Sequence, residues 1–227
     1  ARVILKGRFV EPAQNRVLQF SGYEWEVRSL QSDRGGGINF FSPEHAWVDE
    51  QGRLHLRIAR EHGRWVCAEV MSRKSFGYGT YQFVVQNAAK LDPRMVVTLF
   101  TWHYTNSEFN HREIDVELSR WGDPGQKNSQ YVIQPYYVPE NIAKFESPPG
   151  PVTYSFRWEP DQVTFRSVRG DGTGPAGGSP IFQHTFTSEI PPAGGERVGM
   201  NFYLFEAAPP MSGAGAELII ENFIFLP

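Results

Sequence analysis

A single cysteine, Cys67, stands in the whole chain, so no internal disulfide can form. A lone thiol of this kind reads as a small buried apolar group. Long apolar runs are missing as well. No stretch approaches about 18 consecutive apolar residues, so nothing is suited to span a bilayer as a helix. There is no excess of positive charge: 22 Lys and Arg against 25 Asp and Glu leave a net charge of −3. That balance offers no electrostatic footprint for nucleic acid or an anionic membrane, and neither is expected as a partner. No long amphipathic helix is visible either. At most a short helical turn is expected near residues 140–144. The first six residues are too few and too charged for an intact signal peptide.

What is present is strand-like. Residues 53–58, 81–85 and 162–168 alternate polar and apolar side chains, as half-buried strands do. Residues 95–100 form a nearly continuous apolar run, the pattern of a strand buried on both faces. Another strand pattern closes the chain at 217–225. Turn chemistry at residues 49–52, 92–93, 123–125 and 194–195 separates the runs. Residues 169–180 are dense in glycine but lack the Lys-Ser/Thr ending and following helix of a phosphate-binding loop, so a hairpin loop is expected there. With no repeat and no linker, the expectation is one all-β domain over residues 1–227, a β-sandwich or jelly roll.

One run carries chemistry. In Glu113-Ile114-Asp115-Val116-Glu117, side chains at i, i+2 and i+4 of a strand share a face. The three acids then point one way, and Ile114, Val116 and Leu118 point to the core. Like charges side by side repel, and one pKa should rise strongly. Glycoside hydrolysis needs such a set: one ionised carboxylate and one protonated carboxyl flanking the glycosidic oxygen, roughly 5–5.5 Å apart in retaining enzymes. Strand positions i and i+4 lie about 13 Å apart, so the long Glu side chains must lean together. On spacing alone, a solvated edge strand kept soluble by its acids remains an equal reading.

The surroundings resemble glycoside hydrolase family 16, the lichenases, laminarinases and xyloglucan endotransglycosylases. The run matches that family's Glu-[Ile/Leu]-Asp-x-Glu signature in the lichenase-like form without an inserted residue. Cys67-Ala68-Glu69 followed by Gly77-Tyr78-Gly79-Thr80-Tyr81, the stretch Phe156-Arg157-Trp158-Glu159-Pro160, and Met200-Asn201-Phe202-Tyr203 are similar to further family segments, in the family's order. The resemblance covers roughly residues 20–227. It implies a jelly roll of two curved antiparallel sheets with a concave substrate cleft. It also implies Glu113 as nucleophile, Glu117 as general acid/base and Asp115 as assisting acid. The implied activity is retaining endo-hydrolysis of mixed-linkage β-1,3-1,4-glucan or β-1,3-glucan. No cofactor is required, a structural Ca²⁺ at an unlocated convex site is possible, and a monomer that is secreted or periplasmic is expected.

Candidate sugar-binding residues follow from the matching strands: the rings Trp102, Trp121 and Tyr203, the polar Glu69, Gln134 and Asn201, and, more weakly, Asn39, His103 and His111. His103 with Glu108 lacks recognised metal-ligand spacing, so no protein metal site is expected. Two departures stand out. His111-Arg112 precedes the first acid where lichenases often carry an aromatic residue, and Arg112 is expected to point outward as a surface charge. Many lichenases also pair the cysteine matched by Cys67, but residues 38–41 contain no partner, so the cleft wall there must be held by packing. Transglycosylation, other polysaccharides within the family, and a non-catalytic lectin-like jelly roll stand as the competing readings.

Overall fold

The computed structural model describes residues 16–170 and 180–227. In chain order the strands are β1 (Val17–Phe20), β2 (Tyr23–Val27), β3 (Ser32–Arg34), β4 (Gly37–Asn39), β5 (Ala46–Val48), β6 (Leu54–Glu61), β7 (Arg64–Val66), β8 (Ala68–Ser72) and β9 (Gly79–Gln86). They continue as β10 (Met95–Trp102), β11 (Ile114–Leu118), β12 (Ser129–Ile133), β13 (Ile142–Phe145), β14 (Val152–Trp158), β15 (Val163–Arg169), β16 (Pro180–Phe186), β17 (Arg197–Leu204) and β18 (Ala216–Leu226). Only single turns of 3-10 helix interrupt them in the described residues. The helical turn expected near 140–144 is one of these, Pro139–Asn141, and β13 takes over at Ile142.

Two large antiparallel sheets face each other. The cleft sheet runs β1-β2-β8-β17-β10-β11-β12-β13, and the second runs β16-β15-β14-β9-β18-β6-β5 with β7 on β6. The chain crosses between them repeatedly, so each sheet buries one face on the other. The apolar run at 95–100 becomes the centre of β10, flanked by β17 and β11 and buried along nearly its whole length. Its odd positions Val97 and Leu99 enter the core; its even positions Thr98, Phe100 and Trp102 face the cleft.

Aromatic residues fill the space between the sheets. Trp25, Tyr81, Phe83, Phe156, Trp158, Phe165, Phe202 and Phe223 are all but fully buried. Tyr81 stacks on Phe156 with centroids 4.6 Å apart. Aromatic residues make up 14% of the chain, and many of them go to the core, where each such ring removes about 150–250 Å² from water. Cys67 is buried among them, its thiol pushed up to about 12 by burial. Residues 171–179 of the glycine-dense segment lie outside the described residues. No helix of the described residues is long and apolar enough to cross a membrane.

A small hairpin, β3–β4, stands at one end of the cleft. It docks on the turn at Phe205–Ala207, where the Glu206 amide donates to the Gly35 carbonyl at 3.0 Å. Gly37 is required at this contact: a Cβ there would lie 2.3 Å from the Glu206 carbonyl carbon. The wall is tied from behind by Asn39. Its amide nitrogen donates to the Leu204 carbonyl at 3.0 Å, and its oxygen accepts from the Leu204 amide at 3.1 Å and from the Cys67 thiol at 3.4 Å. This polar clamp sits beside the unpaired cysteine.

Candidate active site

The register of the cleft sheet lays side chains out in rows. Glu69, Asn201, Thr98, Glu117, Gln130 and Lys144 are successive cross-strand partners from β8 to β13. Such partners sit about 4.5–5.5 Å apart, so the row is a continuous polar line across the concave face. Asp115 lies in the neighbouring row, paired with Phe100 and Val132. Ile114, Val116 and Leu118 point into the core and are buried. The acids therefore occupy one face of β11 and its approach, with Glu113 at the residue just before the strand.

Glu113 and Glu117 reach a cavity of about 680 Å³, while Asp115 is buried completely between them. Burial raises all three carboxyl pKa values. Glu113 is pushed up to about 8, by burial and then by repulsion from Glu117, against the pull of Arg34. Glu117 is pushed up to about 7 by burial, opposed by the Gln130 amide that donates to it and by Lys144. Asp115 lies well above its ordinary value through burial and the charges of Glu113 and Glu117. The Gln134 amide donates to Asp115 Oδ2 at 3.0 Å, but Asp115 Oδ1 is buried with no donor. Asp115 and Glu113 are side-chain hydrogen-bond neighbours, a contact that needs a proton shared between the two carboxyls. A trio that holds protons near neutrality, beside a groove, has the makings of acid/base and nucleophilic chemistry.

Of the expected sugar-binding residues, Trp102, Trp121, Gln134, Asn201 and Tyr203 line this cavity. Four others do not. Asn39 is spent on the backbone clamp behind the wall. Glu69 is fully buried: Arg28 Nε donates to it at 2.5 Å and Arg34 Nε at 2.9 Å. Burial alone would raise its pKa, but Arg34 and Arg28 hold it below the ordinary value. His103 accepts the Asn106 amide at 3.0 Å and stays in its own loop. His111 lies flat on Trp102, centroids 4.0 Å apart and 10° between planes, so it backs the ring that lines the cleft.

Arg112 corrects the expectation of an outward surface charge. It is buried, its Nε donating to the Pro192 carbonyl at 2.9 Å and its guanidinium lying 5.4 Å from the Phe109 ring. The strand period does not extend back to it. Residues 109–112 all have positive φ, between 51° and 59°, forming a left-handed turn before Glu113. The cavity also takes in Asp33, Arg34, Gln130, Lys144, Phe205 and Glu206, which sequence reasoning did not single out. Gln130 was within reach of it, since it lies at an even-numbered position of β12, as Val132 does, and Gln134 follows just past the strand's end. Arg34 carries no local signal; it arrives through the docking of a distant hairpin. Among the described residues, no group of three His, Cys, Asp or Glu side chains is arranged to hold a metal ion.

The molecule is thus a two-sheet antiparallel jelly roll whose concave face carries a carboxylate trio. That fold is shared with solved β-glucanases. The Bacillus licheniformis β-glucanase superposes with a TM-score of 0.63 at 16% identity, over 89% of this chain and 92% of that one. A β-1,3-glucanase from Mycobacterium marinum gives 0.65 at 14% identity, over 89% and 90%. The Mycobacterium tuberculosis protein described as an immunostimulatory antigen and pseudo β-1,3-glucanase gives 0.63 at 17% identity, over 88% and 89%. No protein-family model and no curated protein sequence matches the chain.

Proposed function

We propose that this protein is a retaining glycoside hydrolase acting on β-glucan, with mixed-linkage β-1,3-1,4-glucan and β-1,3-glucan as the leading substrates. The observation that carries the reading is the trio itself: two carboxyls at the cleft floor whose proton affinity burial raises, that of Glu113 further raised by Glu117, with a buried third between them. Glu113 attacks the anomeric carbon while Glu117, holding its proton near neutrality, donates it to the departing glycosidic oxygen. The glycosyl–Glu113 ester is then opened by water, deprotonated by Glu117. Asp115 takes the shared proton when Glu113 ionises, so the nucleophile need not ionise beside a second charge. Trp102 and Trp121 offer ring faces for sugars, and Asn201 and Gln134 offer hydrogen bonds. Work outside the cell is part of the same proposal.

The relative described as a pseudo β-1,3-glucanase keeps a second reading in view, a jelly roll that binds sugar without cutting it. One experiment separates the two. The protein is incubated with lichenan, laminarin, xyloglucan and agarose, and new reducing ends are measured. Release from lichenan or laminarin is expected. Binding with no release from any of the four would leave the carbohydrate-binding reading.

A further inference from the structure

The cleft is not symmetric about the acids. On the β13 side it runs out past Ile142 and Lys144 to the exposed rings of Tyr136 and Tyr137. On the other side it stops. A second, smaller cavity of about 180 Å³ lies on the same face of the sheet, beyond β8. Glu69 stands between the two. Arg34, which lines the large cavity, holds it through Nε at 2.9 Å and Nη2 at 3.1 Å. Arg28, which lines the small cavity, holds it from the opposite side at 2.5 Å.

Two further features complete the partition. The remaining guanidinium nitrogen of Arg34, Nη1, donates to Ser32 Oγ at 2.8 Å and to the Asp33 carbonyl at 2.7 Å, within the docked hairpin. Below it, Phe100 and Met71 meet over Gly199, where a Cβ would lie 2.3 Å from the Phe100 ring and 2.4 Å from the Met71 sulfur. Phe100 lines the large cavity and Met71 the small one. The partition is thus ionic above and apolar below.

Taking the sugar chain of the proposed function as the ligand, we infer that Arg34, braced by Glu69 and Arg28, closes the cleft on the β8 side and sets the number of sugar units it accepts there. Three strand intervals separate Glu69 from Glu117, about 14 Å at a spacing of about 4.8 Å. That span holds a short run of rings. The volume of about 680 Å³, open on the β13 side, falls within the range of about 300–1,000 Å³ usual for ligand clefts and cavities. A chain end then abuts the wall, and internal cleavage far from an end is disfavoured. Arg34 is a specificity-determining residue in this account and not a catalytic one.

The test measures affinity against chain length. The parent is Glu113→Gln, which cannot complete hydrolysis, and the probes are β-1,3 and mixed-linkage gluco-oligosaccharides from disaccharide to octasaccharide. Titration calorimetry is expected to show affinity rising over the first few units and then level. In Glu113→Gln with Arg34→Ser and Glu69→Ser, the Arg34–Glu69 pair leaves together, and Arg28, which also loses Glu69, keeps its bond to the Tyr104 hydroxyl at 3.1 Å and its access to solvent. The two cavities join, and the longer probes gain about tenfold in affinity, equivalent to about 1.4 kcal/mol. Arg34→Lys, which keeps the charge at the wall, should retain the plateau. Should the triple variant fail to fold, the parent and Arg34→Lys still decide the matter through their plateau. Parent affinity that climbs with every added unit, an identical length dependence in the opened variant, or no binding of any probe overturns the inference. The wild-type reducing-end assay is scored separately. A plateau without hydrolysis retires the enzyme reading and leaves the wall; hydrolysis without a plateau does the reverse.

Discussion

Replacing Glu117 by Gln should make the protein more stable at pH 8 and leave its stability near pH 4 almost unchanged. The magnitude follows from the trio. Glu117 is pushed up from 4.5 to about 7 by burial, so its folded form holds a proton that the unfolded chain has already released. At about 1.4 kcal/mol per pH unit, ionising it in the folded protein costs on the order of 3 kcal/mol. The sign is fixed by linkage. A raised carboxyl pKa gives stability that is fully present below the unfolded value of about 4.5 and lost as pH rises through about 7. Glutamine cannot ionise and escapes that loss. It also removes one repulsive neighbour of Glu113, whose pKa is raised by burial and then by Glu117. Against this stands the hydrogen bond from Gln130, which a glutamine oxygen accepts less strongly than a carboxylate. A net gain of about 1–3 kcal/mol at pH 8 is expected. Urea unfolding of both proteins at pH 4, 6 and 8, with slopes compared to verify that the denatured states match, measures it. A gap that does not widen with pH, or a variant less stable at pH 8, would refute the claim that the trio is held near neutrality by burial and repulsion.

Three other outcomes test the site. Glu113→Gln should abolish reducing-end release while oligosaccharide binding survives, and full activity in that variant would remove Glu113 from the nucleophile role. Lys144→Met takes away a positive charge that favours the Glu117 carboxylate, so the alkaline limb of the kcat/KM profile should move to higher pH; a shift downward would contradict the electrostatics. Trp102→Ala removes a cleft ring and the partner of His111, and should lower kcat/KM by about tenfold, near the upper range of an aromatic contact, with unchanged kinetics counting against Trp102 as a sugar platform.

The parts of this molecule visible in the sequence are those governed by short-range periodicity. The alternation in residues 113–118 placed three acids on one face and Ile114, Val116 and Leu118 on the other, and β11 has that arrangement. The run at 95–100 reads as a doubly buried strand and is one, because a central strand needs apolar residues on its core face and tolerates them beneath a cleft. Trp102, Gln134, Asn201 and Tyr203, singled out through the family resemblance, line the cleft. What could not be read from the sequence depends on contacts between distant segments. Glu69 has the right strand and facing, yet two arginines 41 and 35 residues upstream occupy its carboxylate. Asn39 is consumed by Leu204, 165 residues away. Arg34 enters the cleft only because Gly37 allows its hairpin to lie on the Glu206 backbone. Arg112 departs from the strand period for a local reason: the chain is still in the left-handed turn of residues 109–112.

That segment yields the most direct test of stored strain. Phe109, Asn110, His111 and Arg112 all adopt positive φ, a conformation that costs a residue with a Cβ roughly 1–2 kcal/mol. The turn persists because its surroundings hold it. His111 stacks on Trp102 and its Nδ1 lies 2.9 Å from the His103 carbonyl. The Thr101 hydroxyl donates to the Arg112 carbonyl at 2.7 Å, and the Ile114 amide donates to that hydroxyl at 3.2 Å, so the exit of the turn and the start of the acid strand share one anchor. Strain braced in this way against a chemical site is a familiar means of fixing the residue that follows, which is Glu113. The pair His111→Gly and His111→Ala isolates the backbone contribution, because both lose the ring and the Nδ1 contact equally. In an ordinary position alanine is the more stable of the two, glycine costing about 0.5–1 kcal/mol through its extra unfolded freedom. At a φ of 59° the alanine Cβ is strained and the glycine is not, so the order should level or reverse, with glycine ahead by up to about 1 kcal/mol. Thermal or urea unfolding of the two variants measures the difference. Alanine more stable by its usual margin would mean that residue 111 does not hold the left-handed conformation and that this turn does not fix Glu113.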